Sequence, residues 1–285
     1  MIIDKNVYYI LVFKALQYSP SNGKIIIVHN IYYQGAHMKF NHYTIIFAAG
    51  LFLTSCNNGS SSTTTGSPYN VSLLDNGTPV TLPLGYFSNT TNGQAMTTYP
   101  TSVTLSYDKN KKALSVQYIN GNDLYVNDNQ YTENNSAMWN QEVFEMFIAP
   151  GSATPESYVE IEINPNNALF SIYVSNPNGQ GTENQATFFN AESEGMILNT
   201  TKDAANNTWS GSFTFPLSLA GNVTSTYRVN FYRVVTTQMP DTSTTWACTT
   251  ASCLYLAWSP TYSGSAPAFH IPQYFGTLNI IPAQP

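Results

Sequence analysis

The chain has 285 residues, of which 10 are basic and 16 acidic, so its net charge at neutral pH is −6. Proteins that bind nucleic acid or anionic membrane surfaces need clustered positive charge, so this composition argues against both kinds of partner. Only 9% of the residues are charged. Abundant Asn, Thr, Ser and Tyr leave a neutral surface rich in hydrogen-bonding groups, which suits neutral ligands such as glycans.

The first pattern along the chain is an export signal. Met38 begins MKFNHYTIIFAAGLFLTSC, in which one lysine precedes an apolar run and small residues precede Cys56. The run is shorter than the roughly 20 residues of a membrane-spanning helix, and it resembles a bacterial lipoprotein signal with a lipobox. We therefore predict a signal peptide over 38–55, diacylation of Cys56, and a mis-assigned upstream extension over 1–37. An ordinary signal peptide or a buried helix is the alternative.

Residues 56–68 (CNNGSSSTTTGSP) have the composition of a flexible tether, which a lipid anchor requires. Asn57 is not the aspartate associated with inner-membrane retention, so we predict a lipid-anchored protein of the cell envelope, at the outer membrane. Beyond Cys56 the chain keeps 6 basic and 15 acidic groups, a net charge of −9. This strengthens the argument against nucleic acid as a partner.

Strand patterns begin at Tyr86, where apolar and polar residues alternate in short segments bounded by Gly, Pro, Asn and Asp. The predicted strands are Ser102–Tyr107, Ala113–Asn120, Glu142–Ala149, Tyr158–Asn164, Leu169–Val174, Thr208–Phe215, Tyr227–Val235, Leu254–Trp258 and Gly276–Ile281. No segment shows sustained helical periodicity. The pattern predicts one all-β domain over 69–285, a single antiparallel β-sandwich of jelly-roll or immunoglobulin-like type.

Long Asn-rich loops over 120–141, 175–193 and 236–253 are where binding groups are expected. The first loop contains Asp123 and Asp128, which offer oxygen ligands of the kind that calcium prefers. Their spacing is not that of an EF-hand, so structural calcium is an alternative, and we otherwise predict no cofactor and no metal site.

The exported part contains two further cysteines, Cys248 and Cys253. In an oxidising compartment such a pair is expected to form a disulfide. A zinc site is the alternative, but a lone Cys-x4-Cys pair has poor spacing for zinc.

Four segments follow one another in a characteristic order. They are MWNQEVFEMF from 138, SYVEIEINPNNALF from 157, YRVNFYRVV from 227 and WSPTYSGSAPAFHIPQYFG from 258. This order resembles the family 9 carbohydrate-binding modules and their bacterial relatives, over about Tyr86 to Ile281. Glu142 stands where that family often has Asp, and Tyr227 where Trp is usual. The resemblance implies a DOMON-like sandwich that binds poly- or oligosaccharide without catalysis, and it raises the possibility of calcium.

The resemblance also implies a binding site. Ligand-binding members clamp a terminal sugar ring between two aromatic side chains, which correspond to Trp139 and Phe269. Aromatic rings match the apolar faces of sugars, while polar groups bind their hydroxyls. We predict that Trp139 and Phe269 face each other across a slot near one end of the sandwich. The polar positions of that slot correspond to Glu145, Glu162, Asn164, Asn230 and Tyr232.

Several of these residues have a structural alternative. Tryptophan is usually buried, so Trp139 could belong to the core, and Trp258 is expected there. Glu160 and Glu162 alternate along one strand, which is typical of a solvated strand face. Of Arg228 and Arg233, one is expected either to pair with a buried carboxylate or to bind ligand.

Two enzymatic or redox functions remain as alternatives. A glycoside hydrolase active in carbohydrate catabolism needs two carboxylates, which Glu145 with Glu160 or Glu162 would supply. A haem-binding electron-transfer sandwich would need axial ligands such as His270 with Met146 or Met239.

Overall fold

The computed structural model describes residues 11–19, 24–32, 69–179, 185–239 and 245–284. The chain divides into two compact units, 1–62 and 63–285. In the first unit, β1 (Leu11–Ser19) and β2 (Lys24–Tyr32) form an antiparallel hairpin. The predicted signal peptide 38–55, the lipidation site Cys56 and the tether that follows it lie outside the described residues. Within the described part, no helix is long and apolar enough to span a membrane.

The second unit is built from strands, with short 3-10 turns and no α-helix among its described residues. Its strands are β3 (Asn70–Leu74), β4 (Val80–Thr81), β5 (Tyr86–Asn89), β6 (Ala95–Asp108), β7 (Ala113–Asn120), β8 (Val143–Pro150), β9 (Ser157–Ile163), β10 (Leu169–Ser175), β11 (Gln185–Phe188), β12 (Ile197–Asp203), β13 (Thr208–Pro216), β14 (Thr226–Thr236), β15 (Cys253–Ala257) and β16 (Gly276–Ile281).

These strands form two layers that share β6. The front layer has the order β11-β10-β9-β8-β14-β15-β5, and the back layer has the order β4-β6-β7-β13-β12. The first residues of β6 pair with β5, and its later residues pair with β7. The expected antiparallel all-β sandwich is confirmed. Among the described strands the parallel exception is β16, which pairs with β14 and, in parallel, with β3.

The main core lies between the layers. Along β8, Phe144, Met146 and Ile148 point into it because side chains alternate between the two faces of a strand. Trp209 and Trp258 are fully buried in the same core, as the sequence predicts for Trp258. Burying a large apolar side chain contributes about 1.5–3 kcal/mol, so this core is the main source of stability.

A second apolar cluster covers the outer face of the front layer. It contains the outward-facing apolar residues of β8, including Val143 and Phe147, together with Phe170 from β10 and Tyr232 from β14. Loop residues close over it, among them Trp246 and the half-buried Phe269. Consequently β8, β9 and β14 are buried on both faces, and the outer face of this sheet is not an open surface.

A disulfide joins Cys248 to Cys253 at the end of the loop before β15. The amide of Cys248 donates to the carbonyl oxygen of Asn140 at 2.6 Å. Gln141 is fully buried, and its Nε2 donates to the carbonyl oxygen of Trp246 at 3.0 Å. These bonds connect the disulfide loop to the turn that precedes β8.

Candidate functional site

The indole of Trp139 stands out as an exposed aromatic ring on a well-anchored turn. Trp139 lies in the 3-10 turn Met138–Asn140 and is 43% exposed, whereas Met138 beside it is fully buried. The ring meets Phe170 of β10 edge-on, with centroids 5.1 Å apart. Trp139 is therefore a surface ring, and the alternative that places it in the core is wrong.

A second exposed ring, Phe188, lies beside the same phenylalanine. Phe188 is 58% exposed, and its centroid is 5.4 Å from that of Phe170, with planes 85° apart. It stands opposite Ile172 in the β10–β11 pairing, which puts it on the outer face of the front layer. The sequence placed Phe188 in a loop, because a strand of only four residues is too short for its alternation to stand out.

The five predicted polar residues converge on that same outer face. Glu145 of β8 pairs with Glu162 of β9 on one side and with Tyr232 of β14 on the other. The polar residues that the family resemblance implied therefore lie near one another in the fold. All five are buried, however, with exposed fractions of 2% or less: Glu145, Glu162, Asn164, Asn230 and Tyr232.

Phe269 and His270 form the cover over these carboxylates. The Phe269 ring stacks on Tyr232 with centroids 4.3 Å apart, and the Tyr232 hydroxyl donates to the Phe269 carbonyl oxygen at 2.8 Å. His270 Nδ1 shares a 2.8 Å hydrogen bond with the Tyr158 hydroxyl, and its Nε2 lies 3.8 Å from Glu160 Oε2. Trp139 and Phe269 thus pack on different rings, and a ligand would reach Glu145 or Glu162 only if this cover moved. The role of Trp139, Phe269, Glu145 and Glu162 in sugar binding stays a prediction.

Glu145, Glu160 and Glu162 form a buried carboxylate trio. One carboxylate oxygen from each residue lies within 4.8 Å of the other two. The interpretation of Glu160 and Glu162 as a solvated strand face is wrong, because loops from the far end of the chain cover this face. Carboxylate oxygens of this kind could hold a divalent cation, and this is the one such group of three among the described residues.

Burial dominates the protonation of the trio. It raises the pKa of Glu160 to about 7 and that of Glu145 well above its usual range, with a further increase at Glu145 from the charge of Glu160. The pKa of Glu162 is raised well above its usual range by burial and then by its two neighbours. Burial also lowers the pKa of His270 to about 4, so the imidazole is neutral at neutral pH. With no cation opposite, the trio retains protons and can donate as well as accept hydrogen bonds.

The two asparagines of the predicted site hold loops in place. Asn164 Nδ2 donates to the carbonyl oxygen of Tyr131 at 2.7 Å, and its Oδ1 accepts from the amide of Ala168 at 3.0 Å. Asn230 Nδ2 donates to the carbonyl oxygen of Ser259 at 2.8 Å, while its Oδ1 accepts from the Ser259 amide at 3.0 Å. In the described conformation these amides are occupied by the protein itself.

Asp123, one of the two possible calcium ligands, is buried near an ion pair, whereas Asp128 is exposed. Arg233 Nε donates to Glu142 Oε1 at 2.9 Å, and both side chains are fully buried. Burial and then the charge of Asp123 raise the pKa of Glu142 to about 8, against the lowering effect of Arg233. This pair is the structural role that the sequence suggested for one arginine. Calcium at Asp123 and Asp128 stays a prediction.

The geometry bears on the haem alternative as well. Met146 points into the main core, whereas His270 covers the opposite face of the same layer. These two side chains cannot ligate one haem iron from opposite sides. Met239 packs against the outer cluster on the same side as His270.

No profile of a known protein family matches the chain. A curated relative, called an extracellular protein, from Arthroderma benhamiae is 30% identical over 145 residues, which is 48% of this chain. The chain spans 64% of the length of that relative.

Two solved structures with a similar course of the chain are distant in sequence. A candidate carbohydrate-binding protein from Bacteroides uniformis is 14% identical, with a TM-score of 0.49 over 74% of this chain and 99% of that one. A family 9 carbohydrate-binding module from Caldicellulosiruptor kristjanssonii, in complex with cellotriose, is 13% identical, with a TM-score of 0.39 over 75% and 94%.

Proposed function

We propose that this chain is a non-catalytic carbohydrate-binding lipoprotein that captures poly- or oligosaccharides at the cell envelope. The observation that carries the proposal is the exposed indole of Trp139, held on a turn that the buried Met138 anchors and backed by Phe170. A large apolar ring kept in water by a rigid support suits stacking on a sugar face. Phe188, a second exposed ring in contact with Phe170, widens this surface.

The free energy expected from aromatic stacking is consistent with a binding module. A stacked aromatic ring contributes on the order of 1 kcal/mol beyond its buried area. A shallow site with one or two such rings should therefore bind sugars with micromolar to millimolar dissociation constants, about −8 to −4 kcal/mol. Such affinities suit capture of a polymer that offers many equivalent ends or segments.

The surroundings of the carboxylates favour binding over hydrolysis. A glycosidase needs two carboxyl groups that flank the scissile bond and are open to substrate and water. Glu145, Glu160 and Glu162 instead lie together under Phe269 and His270, with exposed fractions of 4% or less. This arrangement supports a non-catalytic role.

The proposed location rests on the lipobox before Cys56 and the polar residues that follow it. Two further observations support export. The Cys248–Cys253 disulfide suits an oxidising compartment, and the curated relative is called extracellular.

The proposal is tested with the purified chain and a panel of glucose, cellotriose, xylotriose and maltotriose. Calorimetry should detect binding of at least one member, and incubation with the corresponding polymers should release no reducing sugar. Release of reducing ends would replace the binding function by hydrolysis. A panel and a wider glycan array that both gave no binding would contradict carbohydrate recognition itself.

A further inference from the structure

A cleft of about 450 Å³ lies well away from Trp139. It is bounded on one side by residues before β9 and after β10, and on the other by the loop between β15 and β16. Asn176, which lines the cleft, follows the last residue of β10, whereas Phe170 stands near the start of that strand. At about 3.3 Å per residue, the two places are roughly 20 Å apart.

Tyr262 is the exposed ring of this cleft, and its backbone is held in an unusual conformation. Its φ is +48°, a region that bulky residues rarely occupy, and its side chain is 53% exposed. The residues on both sides are held in place, because Thr261 Oγ1 donates to the Ala268 carbonyl oxygen at 2.7 Å and the Ser263 amide donates to the Thr90 carbonyl oxygen at 3.1 Å. Strained residues held in this way are frequent at functional sites.

The ring of Tyr262 is supported from behind by a glycine. A Cβ on Gly93 would come within 2.5 Å of Cε1 of Tyr262, so the ring lies directly against this stretch of backbone. Gly93 also has a φ of +74°, which no other residue adopts easily. One side of the ring is thereby packed, and the remaining surface is presented to solvent.

Tyr274 completes an aromatic corner. Its ring centroid is 5.6 Å from that of Tyr262, with planes 59° apart. A second hollow of about 300 Å³ shares Tyr262, Gln273 and Tyr274 with the cleft. The two tyrosines therefore form a ridge between two hollows, a shape that an extended chain of sugar rings can cross.

Asn176 fixes the wall of the cleft from beneath. Asn176 is fully buried, and its Nδ2 donates to the carbonyl oxygen of His270 at 3.0 Å and to the Tyr158 hydroxyl at 3.3 Å. Its Oδ1 has no hydrogen-bond partner among the described residues. With no accessible surface, Asn176 supports the cleft wall and does not itself face a ligand.

The charge of the lining limits the class of ligand. Glu156 is the one charged side chain that lines the cleft, and the other polar groups are amides and hydroxyls, including those of Gln273 and Ser263. An anionic ligand would find no counter-charge in this lining. Aromatic rings beside neutral amides and hydroxyls suit a neutral polyhydroxylated ligand.

We propose that this cleft is a second carbohydrate-binding site, in which Tyr262 stacks on a sugar ring and the amide and hydroxyl groups of Gln273 and Ser263 bind its hydroxyls. The ligand class rests on the proposed function, but the site is separate from Trp139. Two weak sites on one domain bind one long glycan more tightly than either does alone, because the second contact is intramolecular.

The test uses the purified full chain, calorimetry with the four sugars named above, and affinity electrophoresis in the corresponding soluble polymer. The informative variant is Tyr262→Gly, because glycine removes the ring and accepts the backbone conformation without strain. Tyr262→Phe keeps the stacking surface. Tyr173→Ala is the matched control, since Tyr173 is a 41% exposed ring on β10 that does not line the cleft.

For the trisaccharide that binds, we expect two sites per chain, which fall to one in Tyr262→Gly and stay at two in Tyr262→Phe and Tyr173→Ala. Retention by the polymer should weaken at least tenfold in Tyr262→Gly, with an unchanged or higher melting temperature. One site in the unaltered chain, lost in Trp139→Ala and kept in Tyr262→Gly, would overturn the second site and leave the proposed function intact. No binding to any sugar tested would overturn both.

Discussion

The rings of Tyr232 and Phe269 lie nearly parallel, with centroids 4.3 Å apart and an interplanar angle of 15°. The hydroxyl of Tyr232 donates to the carbonyl oxygen of Phe269, so the last loop is held to the front layer by both a stack and a hydrogen bond. Two side chains that the motifs assign to a sugar site therefore pack against each other. The exposed aromatic surface at Trp139 lies beside this closed region and needs no opening.

Trp139→Ala should weaken glycan binding at least tenfold, which corresponds to about 1.4 kcal/mol, and leave the fold unchanged. The reason is that the ring is 43% exposed and contributes little to the core. Calorimetry and a thermal melt on the same sample measure both effects, with Tyr173→Ala as the control. A variant that folds and binds as before would show that the indole is not the platform.

Phe269→Ala should lower the free energy of unfolding by about 2 kcal/mol, less than the 3–5 kcal/mol of a fully buried phenylalanine, because Phe269 is only half-buried. Phe188→Ala is the matched control, since it removes the same ring from a 58% exposed position and should have an effect within about 0.5 kcal/mol. Urea denaturation measures both. Equal effects of the two substitutions would mean that the Tyr232 stack contributes nothing.

The carboxylate trio should make the protein less stable as the pH rises. The folded pKa of Glu160 is about 7 against 4.5 for a free glutamate, so the folded state binds the proton more tightly. The stabilisation is fully present below pH 4.5 and is lost as the pH rises to 7 and above. His270 acts in the opposite direction between its folded pKa of about 4 and its ordinary 6.5, but it is one group against three.

The matched substitution is Glu160→Gln, which keeps the shape and removes the titration. We expect the free energy of unfolding of the unaltered chain to fall between pH 5 and pH 8. In the variant this fall should be smaller, by up to roughly 3 kcal/mol. Urea denaturation of both proteins at pH 5 and pH 8 measures this difference. Identical slopes in the two proteins would show that Glu160 does not titrate in this range.

The disulfide should be present in exported protein. Thiol titration of the unfolded, unreduced chain should find no free thiol from Cys248 or Cys253. Replacing both by serine should cost about 2 kcal/mol, as the closure of so short a loop predicts. Two free thiols per exported chain would mean that the compartment is not oxidising or that the pair is not formed.

Cys56→Ala should release the protein from the membrane fraction, because the acyl chains proposed at that cysteine would be missing. Cell fractionation with an antibody against the domain measures the distribution. Substitution of Asn57 by Ala is the control, since it leaves the proposed acylation site intact. Unchanged membrane retention of Cys56→Ala would contradict the lipid anchor.

The local alternation of apolar and polar residues was sufficient to predict many strands of the sandwich. The nine predicted strands are present with ends shifted by only one or two residues, except β6, which begins earlier than expected. Alternation and turn residues are local signals, so they survive without knowledge of the fold. The strands β3, β4, β5, β11 and β12 were missed because they are short or lack alternation, and only pairing with neighbours makes them strands.

The resemblance to family 9 modules also indicated which polar residues lie close together, and in the structure Glu145 and Glu162 stand at paired positions of adjacent strands. It did not determine what covers them. Trp139 and Trp258 are the same residue type in similar motifs, yet one is 43% exposed and the other 1%. Solvent exposure depends on which distant segments pack against a side chain. Phe269 and His270 reach the carboxylates of β8 and β9 across more than a hundred residues of chain, and no local pattern carries that information.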